Sequence, residues 1–320
     1  MKILLFTTGG TIGSSFDGDR INVRADGKSA VVDRYQAEHG DVQLDIKCPL
    51  NILSERVSCG DLNILAQALL EAELSRYDGV IVTAGSDTLA YLAGFVGLLL
   101  GGCPIPVMIV AANKILTAPD SNGYENFCCA AELIRQGVGG VYVPYRNSGG
   151  TMYVHSATEL RQAELSEDFF SLHGAYGVFE NGVLREQRPY IAQHIPAVFG
   201  KERLPRISDS VLLLHPYPMQ DYARISAHGV RAVLHTLYHS ATLDSGAAAD
   251  FIRSLGDVPF FIASIRAGQK PYATTKEIIE AGAVPLYDIS PECAYMKLLL
   301  ACAQDELSIR EFMEDNQPSP

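Results

Sequence analysis

The sequence predicts an α/β protein with a large N-terminal α/β domain built on a mostly parallel sheet. A smaller C-terminal α/β domain with a parallel sheet of its own follows. Three observations lead there. Short apolar runs alternate with helix-periodic segments along nearly the whole chain, and such alternation builds parallel sheets with right-handed crossovers. Two of the runs end in turns bearing glycine and hydroxyl side chains, at the strand ends where open α/β sheets gather ligands. The polar stretch Arg185 to Arg206, with Pro189, Pro196 and Pro205 and no periodicity, breaks the pattern once and reads as an interdomain linker. The expected boundaries are an N-terminal domain 1–188, a linker 189–206 and a C-terminal domain 207–320.

The first run, Ile3 to Phe6, is strand-like and ends in Thr7-Thr8-Gly9-Gly10-Thr11-Ile12-Gly13-Ser14. Ser14 to Asp33 is polar and glycine-bearing, with alternating Ile21-Asn22-Val23, and reads as a mobile flap or a β-hairpin. Asp41 to Pro49 alternates and reads as a strand. Leu50 to Asp61 lacks clean periodicity and leads to a helix N-cap near Ser58 or Asp61. Leu62, Leu65, Leu69 and Ala72 then recur at helical spacing.

Val80 to Thr83 is a second apolar strand, stopping at Ala84-Gly85-Ser86-Asp87-Thr88, where a helix begins that runs to about Gly101. Ile105 to Ala112 is a third strand, and a helix covers about Tyr124 to Gln136. Gly140 to Val143 is a fourth strand, and Met152 to Ser156 alternates as an antiparallel element would. The second half repeats the theme with strands at Val211–Leu214, Ala232–Leu234, Pro259–Ala263 and Val284–Leu286. Helices fall at Ala247–Leu255 and Thr274–Ala281, and a long final helix has Ser290 as N-cap and Pro291 at its first position.

Composition narrows the function. The chain has 320 residues, 48% hydrophobic and 19% charged, as a globular protein with ample core would. A net charge of −12 argues against nucleic acid or an anionic membrane surface as partner. No signal peptide precedes the first strand, and the apolar run Leu92 to Leu100 is too short to span a bilayer. The seven cysteines are odd in number, include no CxxC, and read as reduced thiols in a cytoplasmic protein. The adjacent Cys128-Cys129 suits core filling. His235 and His239 stand four apart but flank a strand end, so a metal site is the lesser reading. Neither a GxGxxG nor a GxxxxGK string followed by Ser or Thr is present, which leaves dinucleotide and P-loop chemistry without support.

The chemistry-bearing residues sit at the strand-end turns. Thr8-Gly9-Gly10-Thr11 places hydroxyls beside bare backbone N–H groups, which suits a nucleophile and an oxyanion hole. The plain alternative is that the glycines only make a turn. Ala84-Gly85-Ser86-Asp87-Thr88 adds a carboxylate to the same design, with the alternative that Ser86 or Asp87 is a helix cap.

Taken together these residues resemble the bacterial-type L-asparaginase/glutaminase family. Thr8-Gly9-Gly10-Thr11-Ile12-Gly13 looks like its first signature. Val82-Thr83-Ala84-Gly85-Ser86-Asp87-Thr88 looks like its second, where a His-Gly-Thr-Asp-Thr string is usual. Asn51 to Glu55 resembles the segment that holds the substrate's α-carboxylate and α-amino group. Val110-Ala111-Ala112, Ser121 to Phe127, Glu280 to Pro285 and Ser290-Pro291-Glu292 also fit, so the match covers nearly the whole chain in order.

The resemblance implies hydrolysis of the side-chain amide of L-asparagine to aspartate and ammonia, with L-glutamine as an alternative. It implies a small amino-acid substrate, no cofactor, and homodimers often paired into homotetramers. It makes Thr11 the nucleophile, puts Ser86 in place of the second catalytic Thr with Asp87 beside it, and has Ser54 and Glu55 bind the amino-acid end. Gly10, Gly85 and Ala112 complete the substrate-binding set. The chain also departs from the pattern. Ser86 and Ala84 replace Thr and His, the stretch Met152 to Arg161 holds no Lys, and Ser14 to Asp33 holds no Tyr. Lys114 or His155 is the expected proton carrier, with Lys114 assigned to catalysis, and Tyr35 lies just beyond the flap. Two other readings stand beside the enzyme: an asparaginase-like paralogue binding an amino acid as a sensor or partner, and an amidotransferase component releasing ammonia for use on tRNA.

Overall fold

A computed structural model of the protein describes residues 1–10, 14–17, 20–23, 30–165, 168–190, 193 and 195–315. The chain divides into two compact units, Met1–Gln193 with Gly200–Leu204, and His194–Phe199 with Pro205–Pro320.

Strand β1 (Lys2–Phe6) opens the first unit, and its Ile3, Leu4, Leu5 and Phe6 are all fully buried. An apolar run buried on both faces is what a central parallel strand requires. Antiparallel β2 (Ser14–Asp17) and β3 (Arg20–Val23) follow, then α1 (Ala30–Glu38), β4 (Gln43–Lys47) and α2 (Cys59–Leu70). Next come β5 (Gly79–Thr83), α3 (Leu89–Leu100), β6 (Val107–Val110), α4 (Gly123–Arg135) and β7 (Val141–Arg146). The unit continues with β8 (Met152–Ser156), β9 (Leu160–Arg161), β10 (Phe170–Ser171), β11 (Gly177–Glu180) and β12 (Val183–Glu186).

The eight-stranded sheet has the order β12-β11-β8-β7-β6-β5-β1-β4. Every pairing from β7 to β4 is parallel, and those among β7, β8, β11 and β12 are antiparallel. Ile3, Leu5, Ile81, Met108, Val110, Tyr142 and Val154 form one core with Phe127, Ala130, Leu133 and Ile134 of α4. The Val, Leu, Ile, Met and Phe side chains among them each contribute roughly 1.5–3 kcal/mol on burial. After β1 the chain adds β4 on one side, then β5, β6 and β7 on the other. The strand order therefore reverses between β1 and β5, and in open α/β sheets that switch point is where a crevice opens at the carboxyl ends.

The second unit holds β13 (Val211–Leu214), β14 (Ala232–His235), α5 (Ser245–Ser254), β15 (Phe260–Ile265), α6 (Ala273–Glu280), β16 (Val284–Tyr287), α7 (Pro291–Cys302) and α8 (Ile309–Glu314). Its four strands pair in sequence order, all parallel. Ser290 caps α7 by accepting from Cys293 N at 3.2 Å, and Pro291 takes the first turn as its missing N–H allows. The mixed α/β architecture with a separate parallel C-terminal sheet agrees with the fold class read from the sequence.

Several elements correct the sequence reading. Ala30–Glu38 is helical, so the connection expected to reach Asp33 ends earlier. Only Val31, Val32 and Tyr35 of that helix are buried, too narrow a stripe to stand out among polar neighbours. Residues 11–13, 18–19 and 24–29 of that connection lie outside the described residues. The hairpin β11–β12 was not expected, and it places Arg185 and Glu186 in a strand rather than a linker. Its turn, Asn181-Gly182 with φ of 53° and 77°, is the Asn-Gly signal that closes two-residue hairpins. Tyr190, also expected in the linker, accepts from Val141 N at 3.1 Å and packs on Tyr142 in the first unit. Ser86–Thr88 forms a 3-10 turn before α3, and no side chain of that turn caps the helix. The short α8 was not expected either; Ser308 and Glu311 close a capping box on it.

Candidate active site

Three turns meet at the switch point, one from each of β1, β4 and β5. Thr7 N donates to Lys47 O at 2.9 Å, extending the β1–β4 ladder by one step. The ladder then continues irregularly, with Ile52 N donating to Thr8 O at 3.1 Å and Gly10 N donating to Ile52 O at 3.0 Å. Gly9 and Gly10 have φ of 95° and 75°, conformations that side-chain-bearing residues rarely adopt. A Cβ on Gly9 would lie 2.4 Å from Ile52 O, and one on Gly10 would lie 2.4 Å from Gly85 Cα. A Cβ on Gly85 would lie 2.3 Å from Ser54 Oγ. The glycines therefore do more than turn the chain: they let three backbones touch.

This nesting brings Gly10, Ser54 and Gly85 together, with Glu55, Ser86 and Asp87 following directly in the chain. Ser54 opens a 3-10 turn, Ser54–Arg56, whose Glu55 is exposed. Thr88 Oγ1 donates to Ser54 O at 3.4 Å, linking the second and third turns. Ser86 is half-buried and Asp87 exposed. The space enclosed beneath the turns, lined by Thr8, Gly10, Ile52, Ser54, Gly85 and Thr88, is about 20 Å³. That is room for about one water molecule, so it is packing space rather than a substrate pocket.

Thr11 lies outside the described residues. Thr8, the other hydroxyl of the motif, is 5% exposed and donates through Oγ1 to Thr83 O at 2.7 Å. Its proton is committed to a buried carbonyl, and Thr83 Oγ1 in turn accepts from Thr8 N at 3.3 Å.

Ala112 follows β6 and is fully buried. Two buried asparagines of the α4 start, given no role in the sequence reading, hold this exit. Asn122 accepts from Asn113 N at 2.8 Å and donates to Arg146 O at 2.8 Å. Asn126 donates to Ala111 O at 2.9 Å and accepts from Arg146 N at 2.8 Å. Lys114 follows on the same loop, exposed, in an ion pair with Asp120. That ammonium holds the Asp120 carboxyl below its usual range.

His155 is the other expected proton carrier. It lies on β8 and pairs with Val143 of β7, and β6 stands between β7 and β5. It is three strands from β5, about 14 Å at the usual strand spacing. Burial pushes its pKa down to about 3, and its Nδ1 lies 2.8 Å from Ser171 Oγ. Tyr35 stacks on His39 and meets Phe127 edge-on in the α1–α4 core, where burial pushes its hydroxyl up to about 12. His235 is fully buried with Nε2 2.9 Å from Tyr222 Oη and Nδ1 2.6 Å from Thr236 O, so both ring nitrogens are engaged. Among the described residues no group of three or more His, Cys, Asp or Glu is placed to hold a metal ion. Nor, among them, is any helix long and apolar enough to cross a membrane.

A larger cavity of about 620 Å³ lies in the second unit, at the amino ends of β14, β15 and β16. Its Arg231, Arg253 and Arg310 already pair with Asp305, Asp250 and Glu314. It lies at the wrong end of its strands for the site chemistry.

Gln162 is the residue at the turns that sequence reading missed. Its Nε2 donates to Ser86 O at 2.9 Å, and its Oε1 accepts from Ala90 N at 3.1 Å. Nothing local in the sequence marks it, because its partners are more than seventy positions away.

Comparison with known proteins bears on the family and the fold. The family model described as "Asparaginase, N-terminal" matches residues 2–173, more than half of the chain. An L-asparaginase of Thermococcus kodakarensis is 25% identical over 338 aligned positions, covering 99% of this chain and 98% of that protein. A glutamyl-tRNA(Gln) amidotransferase subunit of Haloquadratum walsbyi is 26% identical over 94% of this chain and 71% of its own length. Among solved structures, the thermostable L-asparaginase of T. kodakarensis has a TM-score of 0.75 at 21% identity, covering 99% of this chain and 98% of that one. The probable cytoplasmic L-asparaginase of Campylobacter jejuni has a TM-score of 0.75 at 20% identity, covering 98% of each chain. At such identities the structures speak for the fold, while the family model, matched from the first strand through the Thr-Gly-Gly-Thr turn and past Gln162, places the chain in the asparaginase family of amidohydrolases.

Proposed function

We propose that the chain hydrolyses the side-chain amide of L-asparagine, with L-glutamine as a slower alternative, giving the acid and ammonia. Thr11 Oγ attacks the amide carbon, its proton passing to Lys114, which acts as base once its ammonium has left Asp120 and given up a proton. Backbone N–H groups of the strand-end turns that are not already paired stabilise the oxyanion that forms; Gly10 N is not among them, being bonded to Ile52 O. The C–N bond then breaks, the nitrogen takes a proton and ammonia leaves. Water hydrolyses the Thr11 ester and regenerates the hydroxyl. Ser86 and Asp87 present a hydroxyl and a carboxylate to the reacting end and the ammonium, and Ser54 and Glu55 hold the amino-acid end. Gly10, Gly85 and Ala112 shape the wall. The reaction needs no cofactor.

The observation that carries this reading is the meeting of the β1, β4 and β5 turns at the switch point of the sheet. Support also comes from Thr8, whose hydroxyl is spent on Thr83 and leaves Thr11 as the motif's reactive group. The seven cysteines are all free thiols, in keeping with a cytoplasmic protein. We place the working form as a homodimer or homotetramer, which light scattering of the purified protein checks.

The test is ammonia release from L-Asn, L-Gln and D-Asn, beside a Thr11→Ala variant. Release from L-Asn that the variant lacks is expected. No release above the variant on any of these amides overturns the proposal, and binding of L-Asp without turnover would turn it into the sensor reading. A second reading follows from relatives named as amidotransferase subunits, which match at about the same identity as the L-asparaginase. Release from L-Gln with L-Asn ignored would favour ammonia supply to a partner reaction.

A further inference from the structure

We propose that Gln162 is the positioning residue of the Ser86–Asp87 turn, carried by a strap, residues 157–162, that lies along α3. The proposal rests on the amidohydrolase reading only for its kinetic consequence; the clamp itself stands on geometry.

The turn needs such a clamp. Thr88, which precedes α3, makes no side-chain cap bond; Leu89 N donates to Ser86 O inside the 3-10 turn, and the next N–H, that of Ala90, is left without a cap from Thr88. Gln162 Oε1 takes one of them, Ala90 N, at 3.1 Å. Its Nε2 reaches back to Ser86 O at 2.9 Å. One amide thus fixes both the turn that carries Ser86 and Asp87 and the helix behind it. At neutral pH an uncharged amide of this length supplies a donor and an acceptor side by side; a carboxylate in its place would set an oxygen against Ser86 O.

The strap is built to hold that amide still. Its 3-10 turn, Ala157–Glu159, packs on α3 where Gly97 leaves room; a Cβ there would lie 2.8 Å from Thr158 Cγ2. Glu159 is 2% exposed and anchors the strap from the other side. Both terminal guanidinium nitrogens of Arg188, Nη1 and Nη2, donate to it, and His173 Nδ1 lies 3.0 Å away. Leu172 N donates to Glu159 O at 2.9 Å. A buried, bidentate carboxylate three residues from Gln162 leaves the amide little freedom.

The experiment uses the full chain with Gln162→Ala and Gln162→Glu. For Gln162→Ala we expect kcat for ammonia release to fall about tenfold or more, as the loss of one or two hydrogen bonds predicts, with KM changed less than about threefold. Amide exchange in peptides spanning 84–92 should quicken while α4 peptides stay unchanged. Gln162→Glu should be as impaired as Gln162→Ala at pH 7.5 and recover part of the loss, relative to wild type at the same pH, as pH falls toward the usual carboxyl range near about 4.3, because a protonated carboxyl again offers one donor and one acceptor. A purely structural role would not give that acid rescue. Unchanged exchange over 84–92 in Gln162→Ala, or wild-type behaviour of Gln162→Glu at pH 7.5, overturns the proposal. Should wild type release no ammonia from any amide, the functional reading fails by itself, and the exchange ratios still decide the clamp.

Discussion

Gly10 sits where three backbones are closest. Its φ of 75° and the 2.4 Å approach of Gly85 Cα to any added Cβ make Gly10→Ala unfavourable twice over. We expect a loss on the order of 2–4 kcal/mol in chemical denaturation, from left-handed strain plus overpacking against immovable backbone. Gly139→Ala, with nothing within 4 Å of its added Cβ, should change stability by about 0.5 kcal/mol or less. Equal effects at the two positions would contradict the nested-turn geometry. The proton carrier is also a residue-scale question. Lys114 is exposed at the carboxyl end of β6, while His155 is buried three strands from β5. Lys114→Met should therefore lower kcat with little loss of stability, since exposed pairs contribute about 0–1 kcal/mol. His155→Ala should do the reverse, lowering the denaturation midpoint while kcat holds. Small, equal effects on kcat would remove Lys114 from the mechanism.

At the scale of elements, the α2 start and the β11–β12 turn test how local signals act. Ser58 accepts from Asp61 N while Asp61 accepts from Ser58 N, a reciprocal cap. Ser58→Ala should cost about 1 kcal/mol. Gly182, at φ 77° in the hairpin turn, should cost roughly 1–2 kcal/mol as Gly182→Val, because a β-branched residue resists the left-handed region. Differential melting by circular dichroism reads both, and a neutral Gly182→Val would mean the turn relaxes freely. Local chemistry of this kind was legible: the Ser58 cap, the Ser290-Pro291 start and the apolar strands follow from spacing and side-chain type. Helix α1 was not, because three buried residues in nine carry too weak a period. The Asn181-Gly182 signal was present but lay inside a polar stretch with no strand-like period around it.

For the whole molecule, buried titratable groups set a stability dome. Burial pushes His155 down to about 3 and His235 down to about 4. Their folded values lie below the unfolded value near 6.5, so the unfolded chain binds the extra protons and stability falls as pH drops below that value. By pH 4.5 each should have removed roughly 2–3 kcal/mol. Burial also raises the thiols of Cys103, Cys128, Cys129 and Cys302, so stability is lost as pH rises above about 8.5. Lys297, lowered to about 8 by burial beside the Met313 and Asp315 carbonyls, acts the other way, gaining stability above pH 8. Four thiols outweigh one amine, so urea midpoints should peak between about pH 6.5 and 8.5. A midpoint unchanged from pH 6.5 to pH 5 would contradict the buried neutral histidines, since few carboxylates titrate in that window.

By itself the sequence determined most of the strands and helices, several of their caps and the two hydroxyl-bearing turns, because each is set by residues within a few positions of one another. Short range also sufficed for the family resemblance, which rests on contiguous strings. Only the tertiary structure decided that the β1, β4 and β5 turns nest through glycine, that Thr8 spends its hydroxyl on Thr83, and that His155 is buried on β8. The same holds for Gln162, whose side chain reaches Ser86 across the strap. These are contacts between positions tens of residues apart, fixed by strand order and by which side chains the packing buries, and no local period encodes them.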